Sequence, residues 1–166
     1  MKKFILIMVL GSALFTGGAI YDGIDNQDMT QPTIHFWEKN PMKLNLYAKG
    51  QCTYYVFDRI RQDGNMISNR WGDAKYWANE ASKEGYKVND NPSVGSILQY
   101  PKGQHGHVAY VDKVNHDGSL TVFDMNYRKP YEVTKRTVYE YQVDEFNYIH
   151  PKKNQSENAD KVRIIV

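Results

Sequence analysis

The chain has 166 residues, 41% hydrophobic and 13% aromatic, with 21 Lys and Arg against 19 Asp and Glu. That length suits about one domain, and the apolar share is enough for a packed core, which excludes wholesale disorder. The formal charge of +2 comes from Lys2 and Lys3 alone, so the rest is nearly neutral and a nucleic-acid partner held by phosphate neutralisation is not expected.

Lys2 and Lys3 precede an apolar stretch from Phe4 to Phe15 and then the small residues Thr16, Gly17, Gly18 and Ala19. This is the order of a secretory signal, with Gly17 and Ala19 at the minus-three and minus-one positions of a cleavage site. The run falls short of the roughly 20 apolar residues of a spanning helix. Residues 1–19 are expected to be a signal peptide. The alternative is an uncleaved N-terminus that anchors the chain in the membrane. Residues 20–43 are polar and read as a linker, with Phe36 and Trp37 docking on the domain. The folded domain is expected over 44–150, followed by a polar tail, 151–166.

Two helices come first in the domain. In Cys52 to Ile60 the residues Cys52, Tyr55, Val56 and Ile60 fall on one helical face, which puts Cys52 in the first turn. Asp73 is the expected N-cap of the second helix, Ala74, Trp77, Ala78 and Ala81 its apolar face, and Gly85 its stop. Strands follow over Ser96–Tyr100, His107–Val114, Leu120–Tyr127, Arg136–Tyr141 and Phe146–Ile149, the turn signal Asn115-His116-Asp117-Gly118 joining two of them. Helices followed by an antiparallel sheet make an α+β domain.

Cys52 is the sole cysteine, so an exported chain has no intramolecular disulfide partner for it. It is either a small buried hydrophobe or a nucleophile. A thiol attacks as the thiolate, which a helix N-terminus and an imidazolium both favour. Of His35, His105, His107, His116 and His150, the one at a strand mouth is His107, and Gly106 before it leaves room for close approach. If Val114 pairs with Ser119, His107 lies opposite Asn126 with Asp124 diagonal on the same face, both within side-chain reach. Either could hold the imidazole in the tautomer that serves Cys52. A one-residue change of register would turn both away. One Cys and scattered His give no metal-ligand spacing, so no metal is expected.

Five blocks, Gly50-Gln51-Cys52-Thr53-Tyr54-Tyr55-Val56, Trp71-Gly72-Asp73-Ala74 with Trp77, Val94-Gly95-Ser96-Ile97, Gly106-His107-Val108-Ala109-Tyr110-Val111 and Asp124-Met125-Asn126-Tyr127, resemble in order those of a CHAP domain (cysteine, histidine-dependent amidohydrolase/peptidase), in particular the staphylococcal secretory antigen A type. The resemblance implies a papain-like (NlpC/P60-type) α+β fold and hydrolysis of peptidoglycan amide bonds, as N-acetylmuramoyl-L-alanine amidase or cross-bridge endopeptidase. It makes Cys52 the nucleophile, His107 the base, and Asp124, where the family usually has Glu, or Asn126 the residue that orients it.

The Cys52 amide and Gln51 are the expected oxyanion donors. Trp71, Tyr100 and Tyr127 are candidate groove residues, whereas Trp77 is expected in the core. The acidic calcium loop of some CHAP endolysins is replaced here by Lys43, Asn45, Tyr47 and Lys49, so calcium is not expected, and no other cofactor is. The expected protein is a secreted or wall-associated monomer acting on peptidoglycan. Its rivals are a papain-like secreted protease, a wall-binding antigen without activity, and a membrane-anchored wall-remodelling component.

Overall fold

The computed structural model describes residues 40–156. The expected signal segment 1–19, Phe36 and Trp37, and the chain past residue 156 lie outside the described residues.

Helix α1 (Cys52–Gln62) forms where the sequence places it, with Val56, Phe57 and Ile60 fully buried. Burying each of these contributes about 1.5–3 kcal/mol, more than the roughly 1 kcal/mol that a side-chain N-cap supplies. That margin lets Gln51 stand at the N-cap position without a capping bond. Asp73 differs from expectation. It precedes a 3-10 turn (Ala74–Tyr76) rather than α2 (Trp77–Lys83), and it makes no cap bond. Its carboxylate instead meets His105 Nδ1 at 3.1 Å. Gly85, at φ +71°, ends α2 as expected. There the Gly85 N–H donates to Ser82 O and the Tyr86 N–H to Ala81 O, closing the helix in a Schellman pattern.

Six strands form one antiparallel sheet in the order β2-β7-β3-β4-β5-β6: β2 (Lys87–Asn89), β3 (Ile97–Tyr100), β4 (His107–Val114), β5 (Leu120–Met125), β6 (Val133–Val138) and β7 (Asn147–His150). Side chains alternate between its faces. Ile97, Val108, Tyr110 and Ile149 join the helices in one apolar cluster, while Leu98, Ala109, Val111, Leu120, Val122 and Tyr148 form a second. A smaller sheet pairs β1 (Asn65–Met66) with β8 (Lys152–Lys153). Packing thus reaches past the expected 44–150 at both ends. Met42 is buried in the first cluster, and Asn154 donates to Asn40 at 3.3 Å.

The β4–β5 hairpin departs from the expected register at its turn and recovers it at its mouth. Asn115 N–H donates to Ser119 O, and Gly118 stands at φ +78°, which makes a loop of three residues rather than two. Val114 therefore pairs with Leu120, one residue beyond the expected Ser119. A bulge between Val111 and Lys113 takes up the extra residue. Past it Tyr110 pairs with Phe123, and continuing that register toward the mouth puts Asp124 diagonal to His107. Strand β5 ends at Met125 rather than Tyr127, because Asn126 turns away at φ +62°.

The loop before β4 docks on the 3-10 turn, with Lys75 N–H donating to His105 O at 2.9 Å. Gly106 makes that approach possible, since a Cβ there would lie 2.5 Å from Lys75 N and 2.7 Å from its Cα. Gly103 also has positive φ but faces open space. Gly106→Ala is expected to destabilise the fold clearly more than Gly103→Ala. A left-handed alanine costs about 1–3 kcal/mol at either position, and only position 106 adds a backbone clash. Urea unfolding of the two variants measures the difference; equal losses would contradict it.

Candidate active site

Cys52 opens α1 and is 9% exposed. The thiol is close enough to the His107 side chain to help raise its pKa. His107 is the first residue of β4, and its Nε2 lies 3.1 Å from Asp124 Oδ2. With Nε2 engaged there, the other ring nitrogen, Nδ1, is the one left for Cys52.

Asp124 is fully buried and is surrounded by donors from the neighbouring strand. Arg136 Nε donates to Oδ2 at 2.7 Å, and the Thr134 hydroxyl donates to Oδ1. Thr134 stands directly opposite Asp124 across the β5–β6 pair, and Arg136, two residues on, shares its face. Burial alone would push the Asp124 carboxyl up, but the hydrogen bonds from His107, Thr134 and Arg136 outweigh it and hold the group below the usual carboxylate range. His107 shows the same contest with the opposite charge. Burial pushes its imidazole down, yet the bond to Asp124 and the influence of Cys52 raise it to about 9. The ring is therefore protonated at neutral pH.

Of the two residues expected to orient His107, Asp124 makes the contact. Asn126 turns its Nδ2 to Gln51 Oε1 at 2.9 Å. That bond engages the Gln51 carbonyl oxygen and not its amide nitrogen. Tyr127 is 52% exposed. Its ring lies 5.4 Å from that of His107 and 4.2 Å from the Arg136 guanidinium.

Tyr100 pairs with His107 across β3 and β4 and packs against Phe146 at 5.7 Å. Trp71 corrects the groove expectation. It is 2% exposed and sits edge-on to Trp77 and Tyr86, so its apolar ring fills the core under the helices. The remaining described histidines are held elsewhere: His105 on Asp73, His116 in the hairpin turn, and His150 on Asn89 and Ser93.

Thr134 and Arg136 were not singled out from the sequence. The alternation Thr134-Lys135-Arg136 carried the signal, but without an apolar face it does not read as a buried strand. Among the described residues no three His, Cys, Asp or Glu side chains gather to hold a metal ion. A cavity of about 350 Å³ lies along α1 between Tyr54, Tyr55, Asp58, Arg59, Gln62 and Met125. It borders the helix that opens with Cys52 without including Cys52 or His107.

Known proteins share this framework. A "Probable autolysin SsaALP" of Staphylococcus aureus is 53% identical over 107 residues, covering 64% of this chain and 40% of that protein. A "Staphylococcal secretory antigen SsaA" of Staphylococcus epidermidis is 51% identical over 107 residues, with the same shares. The chain thus spans about two fifths of the length of these relatives. A crystal structure of an N-acetylmuramoyl-L-alanine amidase from Staphylococcus aureus superposes with a TM-score of 0.60 at 37% identity, over 62% of this chain and 30% of that one. The observed fold is the papain-like α+β arrangement that the motifs imply. The CHAP domain model matches residues 42–126, just over half the chain, and the chain belongs to the CHAP domain family.

Proposed function

We propose that this protein is an exported peptidoglycan hydrolase that cleaves an amide bond of the bacterial wall through a Cys52 thioester. The observation that carries this reading is the array Cys52–His107–Asp124: a thiol at a helix start, an imidazole whose protonated form that thiol favours, and a buried carboxylate bonded to the ring. That is the order of nucleophile, base and orienting group. The names of the relatives, an autolysin and secretory antigens, and the amidase likeness support the substrate class and the export.

The Cys52 thiolate, paired with protonated His107, attacks the amide carbonyl carbon, forming the carbon–sulfur bond as the carbonyl electron pair moves to oxygen. The Cys52 backbone N–H and the Gln51 side-chain amide stabilise the oxyanion. Both donors are available, because no side chain caps the helix and Asn126 engages only the carbonyl of Gln51. His107 gives its proton to the departing amine as the carbon–nitrogen bond breaks, leaving a thioester. The neutral ring then takes a proton from water, which attacks the thioester and releases the acid and Cys52. Both proton transfers pass through His107, and Asp124 keeps its ring in one orientation throughout. Tyr127 offers an aromatic rim beside His107 for the wall chain.

In a dye-release assay on purified walls, Cys52→Ala is expected to lower the rate at least about a thousandfold, as removal of a covalent nucleophile does, while the protein stays folded by circular dichroism. Wall lysis retained by this variant would contradict the reading.

The pH profile is a second check. His107 must be protonated, and its pKa stands at about 9. Activity should therefore fall as pH rises through about 9. Asp124→Asn removes a cause of the upward shift, so the alkaline limb should move down toward the ordinary imidazole value of about 6.5. An alkaline limb at the same pH in both proteins would count against Asp124 as the partner of His107.

A further inference from the structure

The loop between β5 and β6 contains the two non-glycine residues with positive φ among the described residues, Asn126 at +62° and Tyr131 at +65°. L-residues adopt this conformation at a cost, and a bulky one rarely adopts it. Strain of this kind persists where surrounding contacts demand it. At Asn126 the contact is the bond to Gln51. At Tyr131 it is Gly50: a Cβ on that glycine would lie 2.2–2.6 Å from three atoms of the tyrosine ring. The ring therefore rests directly on the Gly50 backbone, two residues before Cys52, and only a glycine admits it. Two bonds stiffen the loop, from Asn126 N–H to Glu132 O and from Glu132 N–H to Lys129 O. Tyr127, between His107 and Arg136, braces its other side.

Core burial does not explain the position of Tyr131, which is 70% exposed. One face of the ring covers the Gly50 backbone, two residues in sequence from a thiol that is itself only 9% exposed, and the rest stands in solvent. We propose that Tyr131 is a specificity-determining residue. Its ring walls the side of the cleft next to Gly50 and restricts substrates to segments whose residue there has a small side chain. The proposal rests on the reading of Cys52 as the nucleophile. It adds a size limit at a named position and assigns the strained loop the task of holding that limit in place.

The test compares Cys52 alkylation in the full chain by two reagents of the same chemistry, iodoacetamide and a fluorescein-bearing iodoacetamide. The ratio of the two rates reports the width of the approach. The plain iodoacetamide rate reports the nucleophile alone, which keeps a failure of the Cys52 assignment distinguishable from a failure of this inference. Tyr131→Ala should raise the relative rate of the bulky reagent about tenfold, the low end of what a side-chain-sized fit is worth. Tyr131→Phe should leave the ratio as in the wild type. Asn126→Gly, which accepts the positive φ but breaks the bond to Gln51, should also raise it by loosening the loop. A ratio unchanged in Tyr131→Ala would overturn the proposal, whatever Asn126→Gly does.

Discussion

The Asp124 carboxylate has no contact with water, and the rest of the site depends on keeping it charged there. An unpaired buried charge costs several kcal/mol, so the fold must surround it with donors or lose it to protonation. It does so from two strands: β6 supplies Thr134 and Arg136, and β4 supplies His107. Oδ2 serves both Arg136 and His107. The positive guanidinium holds the carboxylate ionised, and the ionised carboxylate keeps the imidazole protonated. An aspartate where the family usually has a glutamate has a shorter reach, which makes strand register decisive. A slip of one residue between β4 and β5 would send Asp124 to the opposite face. The bulge at Val111–Lys113 has its functional meaning here, since it lets a three-residue turn coexist with the register the site needs.

The thiol side rests on a different economy. Helix α1 is held by its buried face, not by its N-terminus, so Gln51 is released from capping and its side chain bonds Asn126 instead. Gly50 before it takes φ +82° and accepts the Tyr131 ring. Gly106 plays the matching part across the cleft, allowing the loop before β4 to press on Lys75 and fix where His107 begins. Two glycines that carry no chemistry thus admit the close approaches on either side of the site, Tyr131 on Gly50 and Lys75 on Gly106.

These observations also explain what the sequence disclosed. The helix that opens with Cys52 was legible because its apolar spacing is regular and a single cysteine calls for a reason. His107 and Asp124 were legible as a pair through strand alternation, although the turn that suggested their register has another length. The site came together because a bulge, which leaves no mark in the apolar pattern, restored the alignment. Thr134 and Arg136 stayed hidden because β6 is polar where it meets Asp124. The pairing of Asn65–Met66 with Lys152–Lys153 joins two-residue segments far apart in the chain, and local pattern cannot report that. Trp71 was misplaced for the converse reason: an aromatic ring suits a groove and a core equally well, and only tertiary contacts decide.

The central claim is that this array breaks an amide of the wall by way of Cys52. Mass spectrometry of purified peptidoglycan digested by the wild-type protein tests it most directly. The expected fragments carry one new amine and one new carboxyl terminus at an amide bond, and they are missing from digests with Cys52→Ala. New reducing sugar ends in place of those termini, or the same fragments from the alanine variant, would contradict it.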